Sequence, residues 1–202
     1  MKLTAWQEDV LKETFNIGVG KAAAALVSLV GPEAEVRLTV PTVCMVPLAH
    51  LARELDSEEG EETTSVSETF EGKVRGRAAL LYSKRECLAL VALLLGEDPT
   101  KLEFGEVEGD VLLEVGNIVL NAFLGTVDNT LDLCIEASVP EIRRGDWLDH
   151  LDEEGELEVL FVRVGFSMLN SEHSGHIDFC LDHEASAALI ECVDQFTTRM
   201  NG

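Results

Sequence analysis

Asp110-Val111-Leu112-Leu113-Glu114-Val115-Gly116-Asn117 is the stretch on which the reading of this chain turns. Its apolar spacing predicts a helix over about 107 to 127. On a 3.6-residue period Asp110, Glu114, Asn117 and Asn121 share one face, while Leu112, Val115, Val119 and Ala122 point the other way. A polar stripe therefore lies on a helix whose back is apolar. The same arrangement occurs a hundred residues earlier, where Asp9, Glu13 and Asn16 precede Gly20, with Leu11, Phe15, Ala22 and Leu26 behind. Glu and Asn on an acidic helix are ordinarily just solvated. It is the second copy that lifts these residues above that reading.

Working outward, the first stripe belongs to a helix expected from about 5 to 30, opened by the capping-box pair Thr4 and Gln7 and closed by Gly31-Pro32. Ala34 to Val46 alternates as a half-buried strand, and Pro41 within it implies an edge, a bulge or the end of regular pairing. A short apolar turn, Leu48-Ala49-His50-Leu51, and the acidic run Glu58-Glu59-Gly60-Glu61-Glu62 follow as loop. Strands are then expected at about 66 to 72 and 75 to 82, and a helix from Ser83 to Leu95 stopped by Gly96. Beyond the central helix the order recurs: strand 131 to 143, an acidic loop at 152 to 156, strands 157 to 169 and 175 to 182, helix 183 to 198. Gly175 to Asp182 matches Gly76 to Ser83 in pattern, Gly for Gly and Phe179 for Leu80. The predicted class is α+β. A helix-β-β-β-helix unit occurs twice, at about 1–100 and 101–202, and builds one pseudo-two-fold domain with a mixed or antiparallel sheet under long helices.

Composition narrows the function. With 15 basic and 38 acidic residues the formal charge is -23, which repels phosphate backbones and anionic lipid and fits a partner with a positive patch; the same acids also serve solubility. Nucleic-acid and membrane-surface roles are therefore set aside. Cys44, Cys87, Cys134, Cys180 and Cys192 are scattered and form no C-x-x-C pair, so they read as reduced and mostly buried. An acidic N-terminal stretch and apolar runs too short for a membrane span point to a cytoplasmic protein.

These residues resemble the CheC-type phosphatases of chemotaxis, a family that includes CheX and the phosphatase portion of FliY. Their pattern is Asp or Ser, three residues, Glu, two residues, Asn, twenty-two residues, Pro. Asp110, Glu114, Asn117 and Pro140 match it throughout; Asp9, Glu13 and Asn16 match, but Pro41 follows after twenty-four. The resemblance spans nearly the whole chain. It implies an aspartyl-phosphate phosphatase acting on a CheY-like response regulator, with Asn117 and Asn16 orienting the attacking water and Glu114 and Glu13 pairing with the regulator's lysine. Asp110 and Asp9 would orient or cap, and Pro140 and Pro41 would shape the strand beside each site. No cofactor of its own is implied; Mg2+ is expected on the regulator. A CheD-like deamidase is a further partner of some of the family. The rival is a non-catalytic module of the same fold, either a flagellar-switch component or a regulator-binding protein.

Other signals carry less. His173, His176, Cys180 and His183 straddle a strand entrance, where residues three apart face opposite sides, so no metal site is expected. Ser167 and Ser171 lack a convincing His and acid partnership, and Ile17-Gly18-Val19-Gly20-Lys21 lies mid-helix with no strand before it, unlike a phosphate loop. Arg75, Arg77, Arg143 and Arg144 form a minor basic cluster, solvated or paired with acids.

Overall fold

A computed structural model of the chain describes residues 3–31, 36–47, 63–144, 158–168 and 174–200. The turn at Leu48–Leu51, both acidic runs, Pro32, Ser171 and His173 lie outside the described residues. Helix α1 (Ala5–Val30) opens as its sequence dictates: the Thr4 hydroxyl accepts from Gln7 N–H, and the Gln7 carboxamide oxygen accepts from Thr4 N–H. It ends at Gly31, whose φ of +103° is open to glycine at little steric cost. Then come β1 (Val36–Leu38), β2 (Thr42–Pro47), β3 (Thr63–Glu71), β4 (Gly76–Ser83), α2 (Lys84–Leu95) and a short 3-10 turn at Pro99–Lys101. The second half supplies α3 (Glu106–Leu131), β5 (Glu136–Ala137), β6 (Glu141–Arg144), β7 (Glu158–Met168), β8 (Ser174–Leu181) and α4 (His183–Met200). Ser83 caps α2 with a second reciprocal box, and Gly96 closes it in the left-handed region.

All pairings in the sheet are antiparallel, in the order β1-β7-β8-β4-β3-β5, with β2 also on β7 and β6 also on β3. The exchange is reciprocal. The β3–β4 hairpin receives β5 and β6 from the second half, and the β7–β8 hairpin receives β1 and β2 from the first. Register follows suit: Leu38 faces Phe166 as Ala137 faces Phe70, and Val43 faces Val162 as Ile142 faces Val66. Pro41 and Pro140 each stand in the gap between two short strands on a sheet edge, where a missing N–H breaks no ladder.

One expectation is corrected. Residues 131 to 135 are not strand: α3 continues to Leu131, and Asp132 (φ +57°) and Cys134 (φ +56°) turn the chain in the left-handed region before β5. Leu131 and Leu133 are fully buried and mimic strand alternation, while Leu131 is also the next inward step after Phe123, Leu124 and Val127. Aspartate tolerates the left-handed turn better than most residues, and Lys73 Nζ donates to the Asp132 carbonyl and carboxylate at 2.5 and 2.9 Å.

The main core lies between the helices and one face of the sheet. Phe15 of α1, Phe123 of α3 and Phe179 of β8 meet there, Phe15 and Phe179 with ring centroids 5.1 Å apart, and Phe70 stacks on Phe179 at the same distance. On the opposite face Ala79, Leu81, Val159, Phe161 and Cys180 form a smaller cluster, near which Arg163 grips the fully buried Asp178 at 2.6 and 2.8 Å. By length and composition α3 is apolar enough to cross a bilayer. Its apolar side instead packs in the core, with Asp110, Glu114 and Asn121 exposed on the other. The cysteines are free: Cys87, Cys180 and Cys192 buried, Cys44 half-buried and Cys134 exposed.

Candidate functional site

Both stripes stand on the solvent side of their helices. Asp9, Glu13 and Asn16 on α1 are exposed, as are Asp110, Glu114 and Asn121 on α3, while Asn117 is half-buried. Behind them Leu11, Phe15, Ala22 and Leu26, and Leu112, Val115 and Val119, are buried, with Ala122 partly so. The two helices are held close by glycine. A Cβ on Gly18 would sit 3.1 Å from the Phe123 ring, and one on Gly116 would overlap the Val66 side chain of β3. Asn117 therefore follows the point where α3 is pressed onto the sheet.

Among the described residues none of Asp9, Glu13, Asp110 and Glu114 is ion-paired, and no hydrogen bond or salt bridge joins one stripe to the other. On α1 it is Glu8 that pairs with Lys12, at 2.5 Å, and this hydrogen bond raises the lysine's pKa above its ordinary value. Asp9 also lies within the field of Lys12, and among the described residues Glu13, Asp110 and Glu114 are left to meet a cation from outside.

Pro41 and Pro140 each sit in the gap between two short strands at a sheet edge. Just before Pro140, Ser138 N–H donates to the Thr69 carbonyl (2.8 Å) and Thr69 N–H donates to Ser138 Oγ (3.1 Å). Just before Pro41, Thr39 N–H donates to the Gly165 carbonyl (2.9 Å) and Gly165 N–H donates to Thr39 Oγ1 (2.8 Å). Each of these prolines is thus preceded, two residues earlier, by a hydroxyl residue that pairs with the neighbouring strand through both its N–H and its side-chain oxygen. Both long helices have 26 residues, and Leu38 and Ala137 each stand three before their proline. The two extra residues of the first half therefore fall in the connection between α1 and β1. They leave the helix stripe and the proline kink themselves alike.

Sequence reasoning left Asn121 outside the site, because Gly20 holds its place in the first half. In the structure Asn121 Nδ2 donates to the Asn117 backbone carbonyl at 2.8 Å and to Asn117 Oδ1 at 2.9 Å. The available signal was the spacing, since a second carboxamide four residues on is one helical turn away.

The rest of the surface is differently employed. Arg75 pairs with Asp182 (2.8 Å) and Glu184 (3.3 Å), Arg143 with Glu141 (2.9 Å), Arg77 is buried, and the Arg144 guanidinium lies 4.3 Å from the Phe104 ring centre. No group of three His, Cys, Asp or Glu side chains converges among the described residues.

No protein-family model matches the chain. Its fold matches that of FliY from Thermotoga maritima at 17% identity, over 98% of this chain and 99% of that one, with a TM-score of 0.72. It also matches the FliM middle domain from H. pylori at 11% identity, over 94% and 99%, with a TM-score of 0.65. A third match is to the complex of CheX with CheY, BeF3 and Mg2+ from Borrelia burgdorferi, at 17% identity, over 84% and 96%, with a TM-score of 0.55. The α+β architecture derived above is the one these structures share.

Proposed function

We propose that this chain, with the fold of FliY, the FliM middle domain and CheX, removes the phosphoryl group from the aspartyl phosphate of a CheY-like response regulator. The observation that carries this reading is the disposition of the stripes: Glu13 and Asn16, and Glu114 and Asn117, stand on the solvent side of helices packed on the core, and among the described residues their carboxylates have no ion-pair partner. A group that must enter another protein's site has to be placed this way.

The chemistry asks little more. Water attacks phosphorus, the P–O bond to the aspartyl carboxylate breaks, that carboxylate leaves with the electron pair, and the water's proton stays on the released phosphate. An acyl phosphate is already a good leaving group, and the regulator brings its own Mg2+ and lysine. A carboxamide serves the remaining need, because its oxygen accepts from the water while its NH2 donates to a phosphoryl oxygen. Asn117 and Asn16 fill that role, and Glu114 and Glu13, one turn earlier, pair with the regulator's lysine. A hundredfold gain per site corresponds to ~2.7 kcal/mol, within the reach of positioning alone. CheX is solved in complex with CheY, and that partner class is the one assigned here.

The likeness to the FliM middle domain favours a second reading, a non-catalytic module of the same fold, either a flagellar-switch component or a protein that binds a regulator without hydrolysing its phosphate. Phosphate loss from phosphorylated CheY-like regulators separates the two. Wild type should accelerate it, Asn117→Ala should lose more activity than Asn16→Ala, and the double variant should be folded and inactive. Equal rates in all four would leave only the binding reading.

A further inference from the structure

We infer that Asn121 is a positioning residue that locks the Asn117 carboxamide in one orientation, and that Gly20 leaves Asn16 without such a lock, so the two sites are unequal by construction. This rests on the phosphatase reading and adds to it the residue that ranks the sites. A terminal carboxamide is nearly symmetric in shape, so an unrestrained asparagine presents oxygen or nitrogen to a given point with similar ease. Asn121 removes that choice. One of its N–H groups meets the Asn117 backbone carbonyl (2.8 Å), which can only accept, so the contacting atom of Asn121 is its nitrogen. Its second N–H faces the Asn117 side chain at 2.9 Å, and only an oxygen there makes a hydrogen bond. Asn117 Oδ1 is therefore fixed on the Asn121 side, with one lone pair left for water and both Nδ2 hydrogens free for a phosphoryl oxygen.

The first site has the same Glu and Asn without this device. Asn16 has no hydrogen-bond partner for its carboxamide among the described residues, and the position one turn on is Gly20, where an added Cβ would meet nothing within 4 Å. A side chain can therefore start from Gly20, which is exposed, without its Cβ displacing any atom. Pre-setting the acceptor matters because a small misplacement in a positioning mechanism costs up to about a hundredfold in rate.

The experiment follows regulator dephosphorylation and, in parallel, NMR relaxation of the Asn117 side-chain NH2. Asn121→Ala should lower kcat about tenfold with KM unchanged and make the Asn117 carboxamide mobile. Asn121→Asp should lose as much, since a carboxylate cannot donate, and Asn121→Gln should restore part of the rate. The decisive arm is a gain: Gly20→Asn in an Asn117→Ala background should raise the remaining rate about tenfold, and the gain should vanish when Asn16→Ala is added. If Asn121→Ala keeps the wild-type kcat, or if Gly20→Asn adds nothing, the inference is overturned. A wild type without phosphatase activity sinks the functional reading instead. The relaxation measurement then still decides whether Asn121 holds Asn117, an unaltered NH2 in Asn121→Ala refuting it.

Discussion

Along β3, Val66, Glu68 and Phe70 fall on one face, and Val66 and Phe70 belong to the core beneath the helices. Glu68 enters the same layer. It is 1% exposed, neither carboxylate oxygen has a hydrogen-bond partner among the described residues, and burial pushes its pKa from the ordinary 4.5 up to about 7. Its place in β7 is taken by Val164: Glu68 faces Ala78 as Val164 faces Ile177, so a long side chain opposite a small one replaces two branched aliphatic ones. Below about pH 4.5 the folded and unfolded chains both hold this proton, and stability from this group is complete. As pH rises towards about 7 the unfolded chain releases the proton while the fold keeps it, so stability falls across that window and levels off above it. Glu68→Leu removes the group, and its stability advantage over wild type should grow by about 2 kcal/mol between about pH 5 and pH 8 in urea unfolding. A constant difference would mean that Glu68 does not retain its proton on folding. Glu68 sits between Val66 and Phe70 in the alternation of β3, but a strand otherwise made of Thr, Ser and Glu gives no sign that this carboxylate is buried. Asn121 was passed over for a different reason: comparing two halves draws attention to what they share, and a residue present in only one is lost.

At the scale of elements, the helix starts and stops could be read because each is a local chemical event. Thr4 with Gln7, Ser83 with Glu86, Gly31 and Gly96 all act where they stand in sequence. The segment after α3 could not be read that way, since Leu131, Leu133 and Ile135 satisfy a period of two while Leu131 also completes a helical face. What decides it is tertiary: Lys73 from the β3–β4 turn holds the Asp132 bend, which no local pattern announces. The closeness of helix and sheet is of the same kind. Gly116 and Gly125 look alike in sequence, both glycines of α3, yet a Cβ on the first overlaps Val66 and a Cβ on the second meets nothing within 4 Å. Gly125→Ala should stabilise the protein by about 0.5 to 1 kcal/mol through helix propensity alone. Gly116→Ala should gain the same and lose more, for a net cost of about 1 to 2 kcal/mol, because α3 must lift from β3. Lifting α3 moves Asn117, so this variant should also lose the phosphatase activity proposed above while Gly125→Ala keeps it. Thermal melts and regulator assays on the pair test this, and equal melting temperatures would show that the helix yields there without cost.

The whole molecule is held together by exchange. The first half's β1 and β2 hydrogen-bond to β7, the second half's β5 and β6 hydrogen-bond to β3, the hairpins meet along β4 and β8, and α1 packs on α3 through Gly18 and Phe123. A half on its own therefore lacks partners for its edge strands and leaves one side of its long helix bare, exposing both apolar surface and unpaired backbone. Yet the connection between α2 and α3 holds only the short 3-10 turn at Pro99–Lys101 and contributes no strand to these pairings, so it is covalent convenience. Cutting there, to give fragments 1–102 and 103–202, should yield two polypeptides that are each largely unfolded as monomers but form a one-to-one complex with native circular dichroism. The complex should regain the phosphatase activity assigned to Asn117. Both fragments are net negative, so like charges oppose their encounter, and association should quicken as salt is raised from about 0.05 M to 0.5 M and the repulsion is screened. A first fragment that folds cooperatively as a monomer would show that the hairpins and helices of one half suffice. Association slowed by salt would show that specific ion pairs, and not the apolar and strand contacts, bring the halves together.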